Sequence, residues 1–143
     1  MNILVSACLL GVRCRYDGMG QEHAEVCRLM EGNTLIPVCP EILGGLPTPR
    51  EPAERREGRV ITRVGADVTD AFCRGAEETL RLAQLFHCEL AVLKERSPSC
   101  GCGRIYDGTF TGTVIPGSGV TAELLTQSGL RVIGESAVER ELR

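Results

Sequence analysis

Three cysteines, each placed after an apolar run, are the residues of this sequence best suited to chemistry. Runs ending at Val5, Val38 and Leu93 precede Cys8, Cys39 and Cys100, respectively. In an open parallel α/β sheet, the loops that follow the strands line one crevice, so residues far apart in sequence can meet there. We therefore expect the three thiols to converge on one site.

Three converging thiols are suited to a soft metal centre. A structural zinc site takes four ligands, often from Cys-x-x-Cys pairs, and the sequence has no such pair; its one close pair is Cys100 and Cys102. An iron–sulfur cluster accepts thiolates from widely separated loops. With three protein ligands, a four-iron cluster keeps one iron open to substrate, and it then acts as a Lewis acid rather than as an electron relay.

Two other classes of function stay open on these residues alone. A non-catalytic Fe–S or zinc-binding module would use Cys14 or Cys102 as a fourth ligand and close the metal site. A thiol-based sulfur carrier would work through a single cysteine of low pKa. We interpret the remaining cysteines as packing residues in or beside helices; they are Cys27, Cys73 and Cys88.

Length and composition indicate one globular domain that spans residues 1–143. The chain is 43% hydrophobic and has a net charge of −3, and no apolar run approaches the length that spans a bilayer. The first residues lack the basic segment and apolar core of a signal peptide, so we expect a cytoplasmic protein whose cysteines stay reduced. The net negative charge argues against broad electrostatic binding of nucleic acid. The absence of Trp argues against binding by base stacking.

The periodicity of the chain alternates between strands and helices. Predicted strands lie at 2–7, 34–38, 90–93 and 130–133, and predicted helices lie at 21–31, from Asp67 onward and at 120–128. This alternation predicts an α/β fold, a three-layer open sheet that is mainly parallel, with a small hairpin or irregular insertion. We expect residues 54–59 to form a solvated turn, and the charged tail from Glu135 to be exposed.

The segment from Gly44 to Glu54 contains three prolines and the pair Gly44-Gly45. These residues exclude regular structure, and paired glycines permit a close backbone approach to a ligand. The segment follows a strand that ends in Cys39-Pro40-Glu41. We therefore interpret it as part of the site rather than as a linker.

Five motifs follow one another in a fixed order along the chain. They are Ser-Ala-Cys-Leu-Leu-Gly at 6–11, Arg-Tyr-Asp-Gly at 15–18, Pro-Val-Cys-Pro-Glu at 37–41, Gly-Gly-Leu-Pro-Thr-Pro-Arg at 44–50 and Leu-Lys-Glu-Arg-Ser-Pro-Ser-Cys-Gly at 93–101. Together they resemble the DUF523 family, some members of which are thiouracil desulfidases. The resemblance covers essentially the whole chain. It implies one α/β domain of this family over residues 1–143.

The resemblance also implies a cofactor and a set of site residues. A [4Fe-4S] cluster would be held by Cys8, Cys39 and Cys100, with one iron not ligated by the protein. The catalytic carboxylate and serine match Glu41 and Ser97, and the alternative serine is Ser99. The implied substrate is a small thiolated nucleobase, nucleoside or nucleotide.

A non-redox hydrolysis follows as a hypothesis from these parts. The soft thiocarbonyl sulfur would bind the open iron, which makes the ring carbon electrophilic. Glu41 would act as general base on the attacking water, and Ser97 would hydrogen-bond the substrate or the developing charge. The products are then the carbonyl base and hydrosulfide.

Overall fold

The structure, a computed structural model, describes residues 1–142. Its strands are β1 (Asn2–Ser6), β2 (Thr34–Val38), β3 (Ala53–Arg56), β4 (Arg59–Thr62), β5 (Leu90–Leu93), β6 (Arg104–Tyr106), β7 (Val114–Pro116) and β8 (Arg131–Gly134). Its helices are α1 (Ala24–Arg28), α2 (Pro40–Leu43), α3 (Thr69–Leu85), α4 (Val120–Gln127) and α5 (Val138–Leu142). Short 3-10 turns lie at Ala7–Leu10, Leu29–Glu31 and Glu135–Ala137.

Four parallel strands form the central sheet, in the order β2-β1-β5-β8. Because side chains alternate along a strand, Ile3 and Val5 join the core on the side of α1 and α5, whereas Leu4 joins the core on the side of α3 and α4. Helices therefore cover both faces, and the predicted mainly parallel, three-layer α/β fold is confirmed. No helix within residues 1–142 is long and apolar enough to cross a membrane.

The strand register determines what meets at the carboxyl edge of the sheet. Ser6 of β1 pairs with Val38 of β2, and Leu93 of β5 pairs with Gly134 of β8. Chain segments that leave these paired positions start side by side. Cysteines and charged residues that are distant in sequence therefore begin their loops at one edge.

The prediction of an exposed tail from Glu135 is wrong. The 3-10 turn and α5 occupy this segment, and Glu135, Ala137 and Val138 are buried. Val138 and Leu142 lie one helical turn apart, and both pack on the core beside the sheet. The charged composition of the tail hid this apolar spacing; the last residue, Arg143, lies outside the described part of the chain.

Two small antiparallel hairpins lie outside the central sheet, as the predicted insertion requires. One pairs β3 with β4, and the other pairs β6 with β7. The expected solvated turn at 54–59 is only partly correct, because Ala53–Arg56 is a strand and the turn is confined to Glu57 and Gly58, both at positive φ. Cross-strand pairing stabilises arginine-rich residues that a composition argument assigns to solvent.

Three cysteines outside the proposed site differ in their burial. Cys88 is buried, as predicted, but Cys27 is only partly buried and Cys73 is exposed. On α3, the buried face runs through Phe72, Ala76 and other residues at helical spacing. Cys73 lies off this face, so its interpretation as a packing residue is wrong.

Glycines set the distance between α2 and α3. A β-carbon at Gly44 would lie 2.0 Å from the Ala71 carbonyl oxygen, and one at Gly75 would lie 1.9 Å from the Pro40 carbonyl oxygen. The close approach expected of Gly44 is therefore made to the backbone of α3 and not to a ligand. This contact places the short helix that follows Cys39 and carries Glu41.

We expect Gly75→Ala to destabilise the protein, although alanine normally favours a helix interior by about 0.5–1 kcal/mol over glycine. The added methyl group overlaps the Pro40 carbonyl, and overpacking typically costs about 1–3 kcal/mol. Urea unfolding should show this loss. Gly32→Ala is the matched control, because nothing lies within 4 Å of a β-carbon there. A Gly75→Ala variant as stable as the wild type would contradict the packing argument.

Candidate functional site

A cavity of about 650 Å³ opens at the carboxyl edge of the central sheet. Its walls come from the loops after β1, β2 and β5 and from both hairpins. All five site residues predicted from the sequence line it: Cys8, Cys39, Cys100, Glu41 and Ser97. The topology therefore brings together residues that lie up to 92 positions apart in sequence.

Cys8 lies in the 3-10 turn that directly follows β1, and its side chain is buried. Gly11 ends this turn at φ 92°, a conformation that suits glycine because it has no β-carbon. The Gln21 amide donates to the Cys8 carbonyl at 2.9 Å. These contacts hold the first thiol close to the end of its strand.

Cys39 occupies the position just before α2, with an extended backbone. Its Sγ lies 3.6 Å from the Cys14 carbonyl oxygen. A hydrogen bond with the Cys14 thiol, together with burial, raises the pKa of Cys39 above its usual range, whereas the Ile42 amide opposes the rise. Hydrogen bonding and burial therefore favour the neutral form of the second thiol.

Cys100 lies in a tight turn after β5, and its side chain is buried. Burial raises the pKa of Cys100 to about 12. The turn is held from behind by α4, whose first amides donate to the carbonyls of Pro98 and Ser99 at 2.8 Å. These hydrogen bonds hold the turn that carries the third thiol.

Cys14 is a fourth thiol in the cavity lining, and its side chain is 4% exposed. A hydrogen bond with the Cys39 thiol lowers the pKa of Cys14, but a hydrogen bond with the Cys8 thiol and burial outweigh it, and the net pKa is raised. Cys14 therefore interacts with two of the three predicted ligands. The other candidate for a fourth ligand, Cys102, lies outside the cavity lining, and its Sγ contacts the Val132 carbonyl at 3.3 Å.

The carboxylate of Glu41 is oriented by the guanidinium group of Arg50. Arg50 Nε donates to Glu41 Oε1 at 2.9 Å, and the two side chains are 7% and 19% exposed, respectively. Arg50 also donates to the carbonyl of Cys14 at 2.9 Å and to Thr48 Oγ1 at 3.0 Å. Within residues 1–142, no hydrogen bond engages Glu41 Oε2, so this oxygen is available to the cavity.

The geometry distinguishes the two candidate serines. Ser97 lines the cavity, and its Oγ accepts hydrogen bonds from the amides of Ser99 and Cys100, both at 3.1 Å. Since its oxygen accepts twice, the Ser97 hydroxyl hydrogen can point toward the cavity. Ser99 is fully buried and bonds Thr121 Oγ1 at 2.8 Å.

An ion pair at the cavity wall was not anticipated from the sequence. Lys94 Nζ lies 2.9 Å from Glu135 Oε2, and Glu135 Oε1 accepts from the Glu95 amide at 2.7 Å. Lys94 and Glu135 each come directly after paired residues of neighbouring strands. The rule that singled out the cysteines, a polar residue just past a strand end, could also have found Glu135.

The donor set of the cavity fits an iron–sulfur cluster. Its lining contains several thiols on separate loops, and each protein ligand of such a cluster can bind a different iron. The raised pKa values of Cys39 and Cys100 mean that binding of a metal centre releases protons. In the described part of the chain, no group of three or more His, Cys, Asp or Glu side chains is arranged to hold a single metal ion.

Comparisons with known proteins give the relatives of this chain. A family model described as 2-thiouracil desulfurase matches residues 3–137. The uncharacterized protein YbbK of Bacillus subtilis (strain 168) is 46% identical over an alignment of 144 positions, which spans 94% of this chain and 95% of the relative. A solved structure of the [4Fe-4S]-dependent thiouracil desulfidase TudS is also 46% identical, with a TM-score of 0.90 over 97% of this chain and 93% of the other. The chain therefore belongs to the 2-thiouracil desulfurase family.

Proposed function

We propose that the protein is a [4Fe-4S]-dependent desulfidase that converts the thiocarbonyl of a thiouracil-type base to a carbonyl and hydrosulfide. Cys8, Cys39 and Cys100 would hold the cluster, with one iron not ligated by the protein. The observation that carries the proposal is the shared cavity of these thiols with Glu41 and Ser97. Family membership and the TudS structure support it.

When bound, the cluster supplies a Lewis-acidic iron with affinity for a soft sulfur atom. The protein contributes a largely buried set of thiols, which limits access of water and oxidants to the metal site. It also contributes a carboxylate and a hydroxyl that can contact substrate. The reaction adds one water and releases one hydrosulfide and one proton, so it needs no electron donor or acceptor.

Glu41 is the group best placed to activate water. Its Oε1 is engaged by Arg50, whereas Oε2 has no hydrogen-bond partner among the described residues, and Glu41 lines the cavity. A carboxylate held in this way can accept the proton of a water molecule that attacks the ring carbon. Arg50 acts as a positioning residue, because it donates a hydrogen bond to the Glu41 carboxylate.

Ser97 is the hydrogen-bond donor in this proposal. Two backbone amides of its own turn donate to its oxygen and fix the position of the side chain. The hydroxyl group can therefore donate to substrate with little further loss of side-chain entropy. A fixed donor stabilises charge that develops on the substrate during the attack. Ser99 is buried, shares a hydrogen bond with Thr121 and lies outside the cavity lining.

One observation keeps a second candidate function in view. Cys14 lines the cavity between Cys8 and Cys39, so it could serve as a fourth ligand in a closed, non-catalytic metal module. Its removal would then reduce metal binding as much as removal of any other ligand.

A small thiolated base as substrate and a cytoplasmic location complete the proposal of a desulfidase.

We expect Cys8→Ala, Cys39→Ala or Cys100→Ala to reduce iron content after anaerobic reconstitution from about four atoms per chain to a small fraction, because each removes a cluster ligand. Iron and sulfide quantitation with visible absorption measures this. Cys73→Ala is the control, since Cys73 is exposed and outside the cavity. Cys14→Ala should keep its iron and lose little turnover. Loss of iron in that variant to the same degree would favour the closed module.

Glu41→Gln should leave the iron content unchanged and lower kcat for thiouracil desulfidation by about two to four orders of magnitude, the usual contribution of a general base. Sulfide release under anaerobic conditions measures the rate. Glu123→Gln is the matched control, because Glu123 also pairs with an arginine, Arg55, but lies outside the cavity. Turnover by Glu41→Gln within a few-fold of wild type would exclude Glu41 as the base.

Ser97→Ala and Ser99→Ala should differ in kind. Ser97→Ala removes the donor and should lower kcat by roughly 100-fold, as loss of one charge-stabilising donor does in other enzymes. Ser99→Ala leaves buried Thr121 without its partner, so we expect lower thermal stability with near-normal kcat. The opposite pattern would transfer the catalytic assignment to Ser99.

A further inference from the structure

The aromatic residues of this chain are concentrated at the cavity. The chain has three Phe, two Tyr and no Trp. Phe72 is buried in the core, and Phe86 lies exposed at the end of α3. The remaining three, Tyr16, Tyr106 and Phe110, all line the cavity that contains the thiols. Three of the five aromatic residues therefore lie around one site.

Phe110 is held there in an unfavourable backbone conformation. Its φ is 58°, in the left-handed region that a bulky residue rarely adopts. Such strain persists only where surrounding contacts enforce it, and it occurs preferentially at functional sites. A glycine or asparagine would satisfy this turn without strain, so the turn itself does not explain the presence of a phenylalanine.

Glu54 supplies the contacts that enforce this conformation. Its Oε1 accepts hydrogen bonds from the amides of Gly108 and Phe110, at 2.9 and 3.1 Å. Glu54 belongs to β3, whereas both amides belong to the loop between β6 and β7. One carboxylate thus joins the two hairpins and fixes the loop that carries Phe110 beside the cavity.

The ring of Phe110 is also held by a cation. The guanidinium group of Arg63 lies over it, 6.0 Å from the ring centroid, and Arg63 itself lines the cavity. An arginine over one face of an aromatic ring restrains the position of that ring. The ring is therefore restrained from the backbone side and from one face.

We propose that Phe110 is a specificity-determining residue, which stacks on the planar heteroaromatic ring of the substrate and selects cyclic, aromatic thiones over other thiocarbonyl compounds. This inference rests on the proposed desulfidase function and deepens it. Glu41 and Ser97 would act at the thiocarbonyl group, which thioureas and thioamides also possess. Phe110 can distinguish the ring, because stacking needs an aromatic partner and the Glu54 carboxylate fixes the Phe110 backbone beside the cavity.

The test compares two substrates that share the thiocarbonyl and its flanking N–H groups. They are 2-thiouracil, whose ring is aromatic and planar, and 5,6-dihydro-2-thiouracil, whose ring is neither. We define the selectivity as the ratio of their kcat/KM values for sulfide release by the reconstituted protein. Comparison of this ratio between a variant and the wild type cancels the difference in intrinsic reactivity of the two substrates.

Phe110→Leu should lower this selectivity by about 5- to 100-fold, the range that corresponds to loss of one ring-stacking contact. The loss should lie mainly in KM for 2-thiouracil, with iron content unchanged. Phe110→Tyr keeps the ring and should retain the selectivity within about three-fold. Phe86→Leu is the matched control, since Phe86 is a partly exposed phenylalanine outside the cavity. Unchanged selectivity in Phe110→Leu would overturn the inference.

The inference and the proposed function can fail separately. If the reconstituted wild type releases no sulfide from either substrate, the desulfidase proposal fails. Binding of uracil and 5,6-dihydrouracil to the protein, measured by ligand-observed NMR, then decides the inference. A preference of the wild type for uracil that disappears in Phe110→Leu supports the inference. Equal affinities for uracil and 5,6-dihydrouracil in both the wild type and Phe110→Leu overturn it.

Discussion

Parallel pairing of β1 with its neighbours β2 and β5 is the constraint on which the site depends. Parallel strands end at the same edge of a sheet, and the register of β1 with β2 aligns Ser6 with Val38. Cys8 and Cys39 follow these residues within two positions, so little loop is needed to bring their thiols to one cavity. Cys100 lies further along the loop that follows β5. Hydrogen bonds from the first amides of α4 hold the turn that carries it.

Arg50 links segments of the site that the pairing of the central strands does not bring into contact. Its guanidinium group contacts Glu41, the backbone of the loop that carries Cys14, and Thr48 in its own proline-rich segment. A buried cation with this many acceptors has a defined position, because any displacement leaves a charge or a carbonyl unpaired. The same cation therefore orients the proposed base and the loop beside the thiols. Catalytic geometry and loop structure are thus stabilised by one residue.

Much of the fold could be predicted because its signals are local. Thr34–Val38 and Leu90–Leu93 have the predicted bounds, since short apolar runs flanked by turn residues specify buried strands. The tail after β8 could not be predicted in this way, because the apolar spacing of Val138 and Leu142 is diluted by charged neighbours. The requirement for glycine at positions 44 and 75 could not be predicted either, because it arises from a contact between the backbones of two helices.

Residue types and their order along the chain are enough to predict the chemistry available to this protein: thiols after three strands, a carboxylate beside one of them and a serine beside another. Residue type and position relative to strand ends are local properties, so they can be recognised without coordinates. Only the tertiary structure decided that Cys14 lines the cavity and Cys102 does not, that Ser97 rather than Ser99 contacts it, and that Phe110 and Glu54 meet across two hairpins. These choices depend on side-chain direction and on contacts between distant segments, which spacing along the chain does not encode.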